Sequence, residues 1–162
     1  MVRMSALRNR PVICGNTRLG LLQSVSLDDA QKQVHALIVS CGIRGKRVVM
    51  PDDVISVSDS FILTGSVHRY RRSEEKTPCA FVRDSQGLLV GCVTDCAMDE
   101  RTLEVLAVEM KPGHLSARRM GRIWMYSYSR PDKSVPELIV PACMGSELIG
   151  VREETEPCEY PP

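Results

Sequence analysis

Gly20-Leu21-Leu22-Gln23-Ser24-Val25-Ser26-Leu27-Asp28 recurs as Gly91-Cys92-Val93-Thr94-Asp95-Cys96-Ala97-Met98-Asp99, and the likeness continues from Val34-His35-Ala36-Leu37 to Val105-Leu106-Ala107-Val108. One constant offset of 71 residues serves throughout. Gly20/Gly91, Asp28/Asp99, Val34/Val105 and Ala36/Ala107 are identical, and most other apolar positions exchange only for apolar residues. A fixed offset held over that span marks an internal repeat. Each copy reads as a hairpin, with an apolar arm, a polar turn (Asp28 to Lys32 in the first copy) and a β-branched return from Val34 to Ser40. In the first arm Leu22 falls on one strand face and Val25 and Leu27 on the other, as a bulged strand or one lying between two buried layers requires.

The totals set bounds on what the repeat can build. The chain has 162 residues, and copies of about 70 residues lie near the lower limit for a self-sufficient core, so packing the two together is expected. Only 4% of residues are aromatic, which leaves Val, Leu, Ile, Met and Cys to fill that core. A formal charge of +1 gives no global drive toward nucleic acid or an anionic membrane; any such binding must come from a local patch. Seven cysteines at irregular spacing, and a basic start (Arg3, Arg8, Arg10) without a following apolar run, point to a reducing cytoplasm rather than to secretion. No stretch approaches the ~18 consecutive apolar residues of a membrane span, so a soluble chain is expected.

Outward from the first hairpin, residues 1 to 10 are polar and basic, with Ser5 a candidate cap for a short turn carrying Leu7. Pro11 to Cys14 reads as a strand ended by Gly15-Asn16. Cys41-Gly42-Ile43-Arg44-Gly45-Lys46 is a glycine-rich turn into Arg47-Val48-Val49-Met50, which Pro51 ends. Asp52-Asp53-Val54 suits one helical turn, and Ile55 to Val57 with Phe61 to Thr64 form another hairpin. Residues 66 to 78 are a charged connector. The second copy opens with Ala80-Phe81-Val82, turns at Asp84-Ser85-Gln86-Gly87, and repeats the hairpin from Leu88 to Met110. Aligning Val48-Val49-Met50-Pro51 with Leu138-Ile139-Val140-Pro141 raises the offset to 90 and implies nineteen inserted residues, which include a short helix at Ser116 to Met120 and a strand from Arg122 to Tyr128. The expected division is a first small barrel over 1–67, a linker over 68–78, a second barrel over 79–151 with an insertion at 111–136, and an acidic, disordered tail over 152–162.

In this order of elements the chain resembles the PRC-barrel domains, named for the photosynthetic reaction centre H subunit and also found at the C-terminal end of a bacterial ribosome maturation factor. The resemblance rests on the Gly20 strand ending in Asp28, the Val34 to Val39 strand, the Val48-Val49-Met50-Pro51 terminus and the Asp52-Asp53-Val54 turn, repeated through Gly91, Asp99, Val105 and Pro141. Gly121-Arg122-Ile123-Trp124 is similar to a segment of tandem PRC-barrel proteins of bacteria, and coverage runs from about residue 4 to 150. The resemblance implies a mainly all-β fold of two tandem, partly open barrels with one or two short helices. It also implies an adaptor or assembly module with no family-wide catalytic residue. The maturation factor's separate N-terminal barrel and the H subunit's membrane helix have no match here.

Candidate chemistry is sparse. Gly42-Ile43-Arg44-Gly45-Lys46 lacks the four-residue spacing and the Ser or Thr of a phosphate loop and reads as a hairpin turn. Cys92 and Cys96, four apart on a strand, would share a face at ~13 Å, too far for a disulfide or a common zinc. His35, His68 and His114 stand in no metal-ligand spacing. The acid pairs Asp28-Asp29, Asp52-Asp53 and Asp99-Glu100 sit where turns need side-chain acceptors. No catalytic, cofactor-binding or metal-ligating residue is assigned, and a non-enzymatic protein is expected.

The region from Lys111 to Lys133 is the strongest candidate surface. It carries six Lys or Arg against one acid (Asp132), interleaved with Trp124, Tyr126 and Tyr128. Arg118, Arg119, Arg122, Trp124, Tyr126 and Tyr128 are the candidate partner-binding residues. Period-two rings on one strand face can cover a neighbouring barrel. With arginine they can also anchor a protein partner, a second copy of the chain included, or bind RNA by phosphate contact and stacking. A protein-interaction adaptor is the first reading, an RNA-binding or ribosome-maturation-type factor the second, and a small-ligand site between the barrels the third.

Overall fold

The structure is a computed structural model that describes residues 1–58, 60–76, 79–113, 121–130 and 134–141. It is all-β with short helices, as expected. The first sheet contains β2 (Pro11–Cys14), β3 (Thr17–Leu27), β4 (Val34–Ser40), β5 (Lys46–Val49), β6 (Val54–Val57), β7 (Ile62–Thr64) and β8 (His68–Arg69), in the order β6-β7-β2-β3-β4-β5-β8. The second contains β9 (Phe81–Asp84), β10 (Leu89–Met98), β11 (Val105–Pro112), β12 (Ile123–Met125) and β13 (Glu137–Val140), in the order β12-β11-β10-β9-β13, with β1 (Val2–Arg3) added to β10. One helical turn, α1 (Met4–Leu7), follows β1, and 3-10 turns occupy Gly42–Arg44, Pro51–Asp53 and Arg72–Glu74. Two pairings, β2 with β7 and β9 with β13, are parallel and the rest antiparallel. In each half a late strand, β7 or β13, thus returns beside the opening strand, β2 or β9, which curls the sheet.

The strand registers redraw the repeat beyond the hairpins. Leu37 pairs with Val49, and its counterpart Val108 pairs with Met125. Val12 pairs with Ile62 and Val82 with Leu138, in both cases beside the repeat glycine's strand. Hence β12 is the counterpart of β5 and β13 the counterpart of β7, both at an offset of 76 rather than 90. Gly45 and Gly121 then correspond and share a left-handed backbone, with φ 77 and 67. The surplus over the hairpin offset of 71 is five residues, so most of the expected insertion at 111–136 is repeat structure. The alignment of Val48-Val49-Met50-Pro51 with Leu138-Ile139-Val140-Pro141 failed because a short apolar run before proline occurs in both β5 and β13, which hold different places in the sheet.

The repeat glycines are required by space. A Cβ on Gly20 would overlap the carbonyl oxygen of Ser40 and sit 3.1 Å from Cys41 Cα; on Gly91 it would lie 2.6 Å from Lys111 O. The repeat aspartates close the hairpin turns. Asp28 Oδ1 accepts the amides of Lys32 and Gln33 at 2.8 and 3.1 Å, and Asp99 Oδ1 those of Arg101 and Thr102 at 2.7 and 2.9 Å. The amides of Thr102 and Arg101 hold the Asp99 carboxyl below the usual carboxylate range. Asp53 is lowered in the same direction, first by the Ser66 hydroxyl and then by His68.

The two hairpin turns meet about a pseudo-twofold axis. Gln33 bridges its own counterpart Glu104, while Val34 N donates to Leu103 O at 3.0 Å and Val105 N to Lys32 O at 2.8 Å. Leading segments are exchanged between halves. The segment before β2 lays β1 on β10, with Val2 opposite Met98, and the segment before β9 sends Lys76 N to Ser26 Oγ at 2.9 Å. Ser5 does not cap α1; its amide and hydroxyl both donate to the Asp95 carboxylate, joining the same arm to the second half. Leu22, Leu37 and Ile62 of the first half and Met98, Met110 and Leu138 of the second belong to one apolar core. Each half alone is small, and the shared core supplies the burial that size denies it.

Candidate functional site

The two halves place different chemistry at the same point on their outer sheet faces. In the first half Ala36, Ile38 and Val48 form a small apolar cluster, and Tyr70 from the connector packs over it. Lys46 Nζ lies 5.1 Å from the Tyr70 ring centroid, and both Lys46 and the Tyr70 hydroxyl reach Glu75, at 3.4 and 2.7 Å. Ile38 corresponds to Glu109, Val48 to Trp124 and Lys46 to Arg122. A carboxylate therefore replaces isoleucine in the middle of β11, directly opposite Trp124.

Glu109 is 1% exposed, and an unpaired carboxylate at that depth would cost several kcal/mol. Three groups meet it. Thr94 Oγ1 donates to Oε2 at 2.9 Å, Arg122 Nη1 lies 3.1 Å from Oε2, and Arg3 Nη1 lies 3.6 Å from Oε1. The Arg3 guanidinium also stacks on Trp124, 4.9 Å from the ring centroid, so the N-terminal arm closes the site. Both arginines keep half or more of their side chains in water, 51% for Arg3 and 63% for Arg122. The result is a buried anion beneath a half-buried indole, with two cations reaching outward.

Arg122 and Trp124 thus come together around Glu109, but the rings do not share one strand face. β12 ends at Met125; Tyr126 beyond it is 49% exposed, whereas Tyr128 is buried between the halves. The Tyr128 hydroxyl donates to Gln31 O at 2.7 Å, Lys32 Nζ lies 3.5 Å above its ring, and burial pushes the phenol's pKa upward. Arg118 and Arg119 lie outside the described residues, as does His114. Arg3 and Glu109 were missed by sequence reasoning. Glu109 had a visible signal, a lone acid in Val105-Leu106-Ala107-Val108-Glu109-Met110 where the first copy has Ile38.

A bulge between Val93 and Asp95 alters the cysteine reading as well. Cys92 is exposed and Cys96 buried, so the two do not share a face. Burial, with Asp95 and Cys79 nearby, pushes the Cys96 thiol up to about 12, and burial raises Cys79 in the same direction. Only the thiolate reacts with alkylating agents. Brief N-ethylmaleimide treatment of the native protein followed by peptide mapping is expected to modify Cys92 and spare Cys79 and Cys96; comparable labelling of Cys92 and Cys96 would refute the bulged register.

Among the described residues no three His, Cys, Asp or Glu side chains gather as a metal site would need. Val54 to Val57 of β6 and Glu100 and Arg101 of the second hairpin turn line a groove of about 390 Å³ between the halves. No protein-family model matches the sequence, and no curated protein matches it significantly.

Proposed function

We propose that the protein is a non-enzymatic adaptor of PRC-barrel type that uses the outer face of its second half to hold a protein partner. One observation carries this reading: where the first half closes its face with Tyr70 over apolar residues, the second presents Arg122, Arg3 and Trp124 around buried Glu109. Tryptophan and arginine are the side chains most often dominant at interfaces, and a ring already fixed by a stacked guanidinium loses little freedom on binding. Two outward cations over one buried anion suit a partner surface bearing carboxylates. A second copy of the chain is one candidate partner. The RNA reading loses Tyr128 as a stacking ring and shares Arg122 with Glu109. A cytoplasmic location and the PRC-barrel likeness belong to the same proposal, supported by the irregular spacing of the seven cysteines and by the recurring order of elements.

Size-exclusion chromatography with light scattering tests the self-associating version. An oligomer that Trp124→Ala converts to monomer is the expected result, and a monomer in both forms eliminates it. A pull-down from the source cell then decides the heterotypic version, with Trp124→Ala expected to lose at least tenfold of the captured partner. Capture unchanged by Trp124→Ala would place the interface elsewhere.

A further inference from the structure

The first half carries a surface of another kind, at the turn that joins β4 to β5. Ile43 at its tip is 107% exposed, far beyond any other large apolar side chain described. The turn is not slack. Gly42 and Gly45 take left-handed conformations with φ 63 and 77, Cys41 N donates to Gly45 O at 2.8 Å, and Gly45 N to Gly42 O at 3.0 Å. A fixed turn therefore holds a whole isoleucine side chain in water.

Around that tip the charge is basic. Arg44 adjoins it, Lys46 and Arg47 open β5, and β8 brings Arg69 directly opposite Arg47. The chain after β8 runs antiparallel to β5, back toward the turn, and adds Arg71 and Arg72. Like charges directly opposite each other on a sheet are destabilising. Two nearby carboxylates are engaged elsewhere, Glu74 with His35 at 3.1 Å and Asp53 with His68 at 2.7 Å, while Glu75 pairs with Lys46 of the patch itself at 3.4 Å. Among the described residues Arg44, Arg69 and Arg71 have no ion-pair partner.

We propose that Ile43 and its arginine collar dock the protein on the surface of an anionic lipid bilayer. An apolar tip ringed by basic groups fits the boundary between headgroups and acyl chains: the isoleucine enters the apolar layer while guanidiniums meet lipid phosphates. Nucleic acid would satisfy the arginines but leave Ile43 in water. The patch also offers no free ring for bases, because Tyr70 packs on Ala36, Ile38 and Val48 and donates its hydroxyl to Glu75. Docking of this kind needs no spanning segment, and among the described residues no helix is long and apolar enough to cross a membrane. It uses the half of the molecule opposite to the proposed partner face, so an adaptor could hold a partner and a membrane at once.

Co-sedimentation of the full chain with vesicles of phosphatidylcholine alone, and of phosphatidylcholine mixed with phosphatidylglycerol, tests it. Binding is expected only to the mixed vesicles and is expected to weaken as salt rises. Ile43→Ser should lower the partition coefficient about tenfold, since part of an isoleucine's transfer to an apolar phase is lost. Arg44→Gln and Arg69→Gln should each lower it about fivefold. Ile43 has no packing to lose, so an unchanged thermal midpoint certifies each variant as folded. Trp124→Ala should leave vesicle binding unaltered, which separates failure here from failure of the partner-face reading. Three results overturn the proposal: no sedimentation with anionic vesicles, sedimentation undiminished in Ile43→Ser, or binding to single-stranded RNA that abolishes the vesicle association and is indifferent to Ile43→Ser.

Discussion

Gly20→Ala is expected to be among the most damaging single substitutions in the chain, lowering stability by about 3 kcal/mol and the thermal midpoint by roughly 10 °C. The added methyl would occupy the space of the Ser40 carbonyl oxygen, which belongs to the β3–β4 ladder and cannot rotate aside. Relief requires the two strands to separate, with loss of the neighbouring pairings of Leu21 with Ser40 and Leu22 with Val39. Gly91→Ala should cost less. There the crowding comes partly from the Met110 side chain, with Sδ at 2.7 Å, and a methionine can move. Gly113→Ala serves as a control, because its Cβ would meet nothing closer than 3.8 Å and it should be neutral or slightly stabilising. Denaturant melts of the three variants check the ranking. If Gly20→Ala and Gly113→Ala proved equally stable, the close approach of β3 and β4 would be wrong.

The same geometry explains why the repeat was legible at all. Gly20 and Asp28 each answer a demand that few other side chains can meet, a close strand approach and two turn amides in need of an acceptor. Such positions leave a readable residue. The strands outside the hairpin answer looser demands. β5 and β12 occupy equivalent places as Arg47-Val48-Val49 and Ile123-Trp124-Met125, alike in inward-facing apolar character and little else. A strand slot that accepts valine or methionine leaves no signature, and so β13 was aligned with β5 when its partner β9 makes it the counterpart of β7. The cysteine reading failed for a related reason, since a bulge shifts a strand's facing without marking the sequence. Of the candidate surface, Arg122 and Trp124 were legible from composition. Arg3 was not, because its role exists only once β1 has paired with β10.

Removing both arginines from Glu109 should expose what that carboxylate costs the fold. The double variant Arg3→Ala/Arg122→Ala leaves a group 1% exposed with Thr94 as its remaining side-chain partner, and stability is expected to fall by about 3 kcal/mol. That figure lies at the low end for a broken buried pair because both arginines are half in water, which weakens their attraction for the carboxylate. The first half supplies the control. At the equivalent point Ile38 is fully buried beside Val48 with no charge to satisfy. Replacing a buried ion pair by a packed apolar residue is often neutral or favourable, so adding Glu109→Ile to the double variant should return most of the lost stability. Glu109→Ile alone should be nearly neutral for folding, yet should weaken partner capture, because Arg3 and Arg122 then lose the anion that orients them. The two readouts separate two explanations of Glu109. If it serves only to hold the arm bearing Arg3 in place, Glu109→Ile alone will lose stability. If it serves to aim two guanidiniums at a partner, Glu109→Ile will fold normally and bind poorly, which is the outcome the asymmetry between the halves leads us to expect.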